Sequence, residues 1–220
     1  MPNPGEHHPA FEEYCECIFE LREDNVEVIQ ARVAERLNVS RPSVSEMIRR
    51  MESEGLIQLA GPKITLTKKG ETLAERVVRR HRLAERFLTD VLGLSWAQAH
   101  HEAGKWEHVL SDDVEEAISK MLGNPTTCPH GNPIPGSDYA TTNLVPLASL
   151  NIGDEFTVTR IPEELEFEPG MLEFLERSSV TPGSRGAVRE VTSDGGLQVA
   201  INDKTVGLDQ FACSKILVAH

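Results

Sequence analysis

Histidines and carboxylates gather in one stretch of the chain. His81 and Glu85 stand four residues apart, which puts both on one face of a helix. His100, Gly104 and His108 repeat that step, with Glu107 beside the last. Imidazole and carboxylate together suit an intermediate divalent ion, Mn(II), Fe(II), Co(II), Ni(II) or Zn(II), and spacing alone does not rank them. Taken singly, each pair also reads as a surface interaction or an ordinary core histidine; the clustering is what points to metal. An ion held between two helices would lock their packing, a means of signalling rather than turnover. A metal-dependent hydrolase would need an open coordination position beside a substrate cleft. The chain has no His-Glu-x-x-His run and no nucleophile paired with a base, so it reads as no enzyme.

The elements that must carry these groups follow from periodicity. Residues 1–9, with three prolines and a glycine, read as a loose arm. Phe11, Tyr14, Cys15, Ile18, Phe19 and Leu21 mark a first helix, Val28 to Leu37 a second, and Arg41 or Pro42 to Glu54 a third that Ser40 caps and Gly55 ends. The period then drops to two over Leu56–Leu59 and Ile64–Thr67, around the turn Gly61-Pro62-Lys63. That order is a winged helix-turn-helix. Long helices follow over residues 68–92, 96–109 and 112–122, then a Gly/Pro/Asn/Thr-rich connection over 123–143. Short strands near 156–161, 186–191, 197–201, 204–208 and 215–218, with one helix near 170–177, predict a small β-barrel. The class is therefore α+β: a winged helix over residues 1–73, a helical region that carries the candidate donors, with its linker, over 74–143, and a small β-barrel over 144–220.

In such a fold the second helix of the motif enters the major groove and its first residues reach base edges. Here those are Ser40, Arg41, Pro42, Ser43, Ser45 and Glu46, followed by Arg49 and Arg50, with Lys63 at the tip of the wing. Lys68, Lys69, Arg79, Arg80 and Arg82 are further phosphate candidates. Winged helices also serve as protein-docking modules, and Glu46, which repels phosphate, speaks for caution.

The net charge of -13 argues against nucleic acid when taken whole. Charge is uneven, however: residues 61–82 carry seven Lys or Arg against two acids, and residues 101–176 carry fifteen acids against three bases. A basic N-terminal surface is compatible with DNA. The four cysteines make no disulfide framework, no apolar run is long enough for a membrane span and the acidic start is unlike a signal peptide; a cytoplasmic location is expected.

Four segments carry a more specific signal: Arg80-His81-Arg82-Leu83-Ala84-Glu85-Arg86-Phe87-Leu88, His100-His101-Glu102-Ala103, Trp106-Glu107-His108-Val109-Leu110-Ser111-Asp112 and Gly131-Asn132-Pro133-Ile134-Pro135-Gly136. They resemble the diphtheria-toxin-repressor family of iron- and manganese-dependent repressors, over nearly the whole chain. The resemblance implies a homodimer that binds operator DNA when metal is bound, with two metal sites per subunit, a helical dimerisation and metal-binding domain over residues 74–143 and an SH3-like domain over 144–220. Carried over by position, one site takes His81, Glu85, His100 and Glu168; the other takes Glu107, His108, the carbonyl of Gly104 and Glu13, with Glu16 matching a further ligand of manganese-selective relatives.

Three departures from the family pattern bear on the ion. The iron-sensing branch has Met where this chain has Glu13 and Cys where it has Gly104. Manganese-sensing relatives have an acid at Glu13 but commonly Glu at Gly104, so a ligand is missing that water, Glu102 or Cys17 would replace. Met171 falls where the iron branch has an amide ligand; some manganese-sensing relatives instead use a Cys and a His of the connecting segment, which Cys128 and His130 resemble. Oxygen donors at Glu13 and Glu16 favour Mn(II), with Fe(II) the alternative. Glu163, Glu164 and Glu166 read as a solvated acidic run, any of which could stand in for Glu168. A metal-buffering protein whose winged helix binds no DNA is the rival that would bind ions without gaining DNA affinity.

Overall fold

The computed structural model describes residues 9–140, 142–202 and 204–220. Apart from Pro9, the arm expected at the N-terminus lies outside the described residues. Three helices, α1 (Pro9–Glu23), α2 (Gln30–Arg36) and α3 (Arg41–Ser53), precede a hairpin of β1 (Ile57–Ala60) and β2 (Lys63–Leu66). Asn38, at φ 51°, makes the turn between α2 and α3, and the Ser40 hydroxyl caps α3 by accepting the Ser43 N–H at 3.3 Å. Val33, Val44, Ile48, Met51 and Ile64 close the core beneath them.

The helical region comprises α4 (Lys68–Asp90), α5 (Trp96–Trp106) and α6 (Asp112–Met121). Gly70 sits where a Cβ would lie 2.0 Å from the Leu56 carbonyl oxygen, so only glycine lets the start of α4 rest against the hairpin. Ala84, Ala99 and Ala103, with Leu88, form the seam between α4 and α5. Small residues there bring the two helix axes close, and that closeness sets His81 and Glu85 against His100.

The C-terminal part is a six-stranded antiparallel sheet in the order β3-β8-β4-β5-β6-β7. Its strands are β3 (Val145–Pro146), β4 (Glu155–Arg160), β5 (Arg185–Val191), β6 (Leu197–Ile201), β7 (Lys204–Leu208) and β8 (Leu217–Ala219). The helices α7 (Glu163–Glu166), α8 (Met171–Arg177) and α9 (Gln210–Lys215) interrupt it. Phe156, Val158, Ile161, Leu165, Val188 and Val218 share one core, which Trp96 of α5 joins.

The connection between the halves is not a loose tether. Cys128, His130, Asn132 and Ile134 are buried. The Ile161 N–H donates to the His130 carbonyl at 2.8 Å, and the Asn132 amide donates to the Ile161 carbonyl at 2.9 Å. Gly131, at φ 88°, lies so near β4 that a Cβ would come within 2.1 Å of the Thr159 carbonyl oxygen. No helix among the described residues is long and apolar enough to cross a membrane.

Candidate metal centre

The i,i+4 pair on α4 is the hub. His81 Nε2 lies 3.3 Å from Glu85 Oε1, and His100 Nδ1, from α5, lies 3.0 Å from the same oxygen. The connection brings Cys128 and His130 to the other side of Glu85, with His130 Nδ1 at 3.6 Å. From α7, Glu166 Oε2 stands 3.3 Å from His100 Nδ1 and 2.7 Å from His130 Nδ1. Glu163 of the same turn faces inward beside them and its side chain is 1% exposed.

A second group adjoins the first through the other nitrogen of the same imidazole. His81 Nδ1 is 2.5 Å from Glu107 Oε2 and 4.0 Å from Glu16 Oε1 of α1. His108 Nε2 meets Glu107 Oε1 at 3.2 Å, while its Nδ1 meets Glu12 at 2.8 Å. Arg76 holds the other oxygen of Glu12 at 3.0 Å. Gly104 lines a cavity of about 450 Å³ shared with Glu13, Glu16, His81 and Glu107, and a Cβ there would meet nothing within 4 Å.

These carboxylates are crowded and dry. Burial, then the charges of Glu107 and Glu20, pushes Glu16 well above its ordinary pKa. Burial acts against charge on His100, yet the adjacent carboxylates of Glu166 and Glu85 carry it up to about 10. Burial would likewise raise Glu166, but the charge of His130 draws it down to about 2. Glu16 Oε1, Glu85 Oε2, Glu166 Oε2 and both ring nitrogens of His130 are buried without an aligned hydrogen-bond partner. Buried carboxylate and imidazole atoms that gather without hydrogen-bond alignment fit a cation among them, which would displace the imidazole protons, since a buried polar atom otherwise keeps a partner.

Several expected positions differ. Glu168 is exposed and outside the clusters; a one-turn helix after Pro162 buries Leu165 in the sheet core and thereby swings Glu163 and Glu166 inward. The acidic run is therefore not simply solvated. Glu13 is exposed on the cavity wall and Glu102 pairs with Lys105 at 2.7 Å, so neither joins a cluster. Glu12, which sequence reasoning passed over, is the buried partner of His108. Its signal was an acidic stripe at four-residue spacing, Glu12, Glu16 and Glu20, all buried on one face of α1.

On the face expected to meet DNA, Ser40, Arg41, Pro42, Ser43, Glu46, Arg49 and Lys63 are exposed. Ser45 is half-buried and donates to Gln30 Oε1 at 2.7 Å, which ties α3 to α2 instead of leaving the hydroxyl free for a base. Exposed Arg50 stacks over Phe11 at 5.3 Å. Arg79 and Arg80 pair with Glu115, Arg80 also with Asp112, and Arg82 is fully buried. Those three are structural rather than phosphate contacts.

A reading head, a helical pair that gathers imidazoles and carboxylates, and a lobe that closes over them define a metal-responsive DNA-binding regulator. Residues 8–63 match the family model described as iron dependent repressor, N-terminal DNA binding domain, and residues 67–136 match its metal binding and dimerisation domain. The chain is 43% identical over 204 residues to the iron-dependent repressor IdeR of Mycobacterium tuberculosis, covering 86% of this chain and 87% of that protein. It is 38% identical over 208 residues to the diphtheria toxin repressor of Corynebacterium diphtheriae, covering 90% and 91%. A solved manganese-dependent transcriptional repressor in complex with manganese superposes with a TM-score of 0.85 at 34% identity, over 95% of this chain and 99% of that one. The chain belongs to the diphtheria-toxin-repressor family.

Proposed function

We propose that this chain is a Mn(II)-responsive transcriptional repressor that binds operator DNA as a homodimer in the cytoplasm and controls metal homeostasis genes. The observation that carries the reading is His81, whose two ring nitrogens face two adjoining donor groups, one reaching α1 and the other reaching the C-terminal lobe. Glu85, His100, Cys128, His130 and Glu166 would hold one ion, and Glu16, His81, Glu107 and His108 the other. Bound metal supplies charge neutralisation and a bridge between helices; it supplies no turnover. Glu16 lies on the helix that opens the reading head, so its distance from Glu107 sets how the head sits on the helical region. The units divide near residues 73 and 143, with residues 74–143 forming the dimer.

The ion is Mn(II) because Glu16, Glu107 and Glu12 crowd the second group with oxygen, and the iron branch's thioether and thiolate positions are occupied by Glu13 and Gly104. Fe(II) is the second reading, favoured by the 43% identity to a protein described as an iron-dependent repressor and by the thiol of Cys128 beside Glu85. Co(II), Ni(II) and Zn(II) would fit the same donors in vitro.

The test is a titration of metal-free protein with Mn(II) and, anaerobically, Fe(II), following the anisotropy of a labelled promoter fragment selected from genomic DNA. A steep gain in DNA affinity with Mn(II) at lower free concentration supports the reading. Metal binding with no gain for either ion would make the chain a buffering protein.

A further inference from the structure

The short helix α7 has no side-chain cap of its own: Pro162 precedes it and provides none. Its cap comes from the reading head. Asp24, just past the end of α1, accepts the Glu164 N–H at 3.0 Å through Oδ2 and the Arg160 guanidinium at 3.1 Å through Oδ1, and its side chain is only 1% exposed. Arg36, the last residue of α2, lies 4.0 Å from Asp24 and 3.6 Å from Glu20. Its guanidinium also covers the ring of Phe167 at 4.5 Å. Phe167 follows α7 directly and sets its ring edge-on to His100, with centroids 5.6 Å apart. The opposite side of the same turn presents Glu166 to His100 and His130.

A single turn of helix is thus gripped on one side by the donors of a metal cluster and on the other by two residues of the winged helix. We propose that α7 is a coupling strut, with Asp24, Arg36 and Phe167 as positioning residues that tie the helix-turn-helix to Glu166. None of the three belongs to a donor cluster or to the exposed face of α3. The strut rests on the metal-dependent reading above. Because coupling is reciprocal, whatever Glu166 gains from a docked reading head, the head gains from a loaded cluster.

The experiment measures, on the full chain, DNA affinity with saturating Mn(II) and with chelator, and separately the Mn(II) affinity of DNA-free protein by electron paramagnetic resonance. Asp24→Ala removes the cap, Asp24→Asn keeps one acceptor for the Glu164 N–H but loses the one that takes Arg160, and Phe167→Leu removes the stacking surface from a half-exposed position. Expected is a drop in the metal-induced gain of about fivefold or more, the lower end of ordinary couplings, for Asp24→Ala and Phe167→Leu. Both should also bind Mn(II) several-fold more weakly, with Asp24→Asn falling between Asp24→Ala and wild type in both assays. Wild-type gain and wild-type Mn(II) affinity in folded Asp24→Ala and Phe167→Leu would overturn the strut. Should Asp24→Ala fail to fold, Phe167→Leu decides alone. If the wild-type chain itself shows no metal-induced gain, the functional reading fails, and the Mn(II) affinities alone judge the strut.

Discussion

Glu166 Oε2 stands 2.7 Å from Nδ1 of His130, close enough to share a proton but not aligned to do so. His130 also stands with Glu85 and Cys128, and Glu166 with His100 and Glu163, so the pair joins two neighbouring donor groups. A carboxylate from a four-residue helix thereby meets a ring from the connection, although both were absent from any helical spacing.

Loading this cluster should release protons. In the metal-free protein His100 keeps its proton up to about pH 10, and His130 is held well above its ordinary value because Glu166 and Glu85 outweigh its burial. Metal takes imidazole in the neutral form. Calorimetry of Mn(II) binding at pH 7 in two buffers of different ionisation enthalpy should show at least one proton released; none released would mean that these rings are not ligands.

The same groups set a stability window without metal. The raised pKa of His100 contributes stability that is complete below its ordinary 6.5 and lost as pH rises through about 10. The depressed pKa of Glu166 contributes stability that is complete above its ordinary 4.5 and lost as pH falls through about 2. Thermal melts of metal-free protein should show this pair's contribution complete from pH 4.5 to 6.5 and lost toward both extremes, with Glu166→Gln flattening both limbs.

Glu166→Gln and Glu168→Gln should separate cleanly. The inward carboxylate touches two histidines, and its loss should weaken Mn(II) binding by about tenfold or more, the range that losing even an outer-shell partner costs. The exposed Glu168 should tolerate the change within about twofold, by the same metal titration. Equal losses would return Glu168 to the site.

Gly104 is a helical glycine with open space where its side chain would be. Gly104→Ala should stabilise the protein by about 0.5–1 kcal/mol, or roughly 1–4 °C in melting temperature, by restricting the unfolded chain. Gly104→Glu should add a carboxylate to the cavity with Glu16, His81 and Glu107 and tighten Mn(II) binding. Unchanged affinity in the glutamate variant would show that the cavity lies off the coordination centre.

Arg82 is fully buried and its guanidinium meets Glu23 at 2.6 Å, Glu163 at 3.0 Å and the Pro133 carbonyl at 2.5 Å. Arg82→Met leaves Glu163 without its cation and Glu23 with Arg160 alone, and should cost about 3–5 kcal/mol in urea unfolding. On the opposite surface, Arg49→Ala should leave stability alone and reduce the salt dependence of DNA binding by about one phosphate contact.

Much of this was legible in sequence because helices and strands write their period locally. The winged helix, the α4 pair of His81 and Glu85, His100 on the next helix and the Cys128/His130 pair all follow from spacing or from the family pattern they resemble. The acidic run 163–168 did not, since one helical turn is too short to show a face; Leu165 packing into the sheet core chose which glutamates point inward. The choice between Glu12 and Glu13 was likewise made by how α1 rolls against α4, and the burial of Arg82 by three separate segments closing on it. By itself, then, the sequence determined the longer elements, the reading head and the kinds of donor available, and left the short α7, α9 and β3 unread. Only the tertiary structure decided which donors converge, because a coordination centre depends on the distance between side chains from α1, α4, α5, the connection and α7, and packing between elements sets that distance where local periodicity does not.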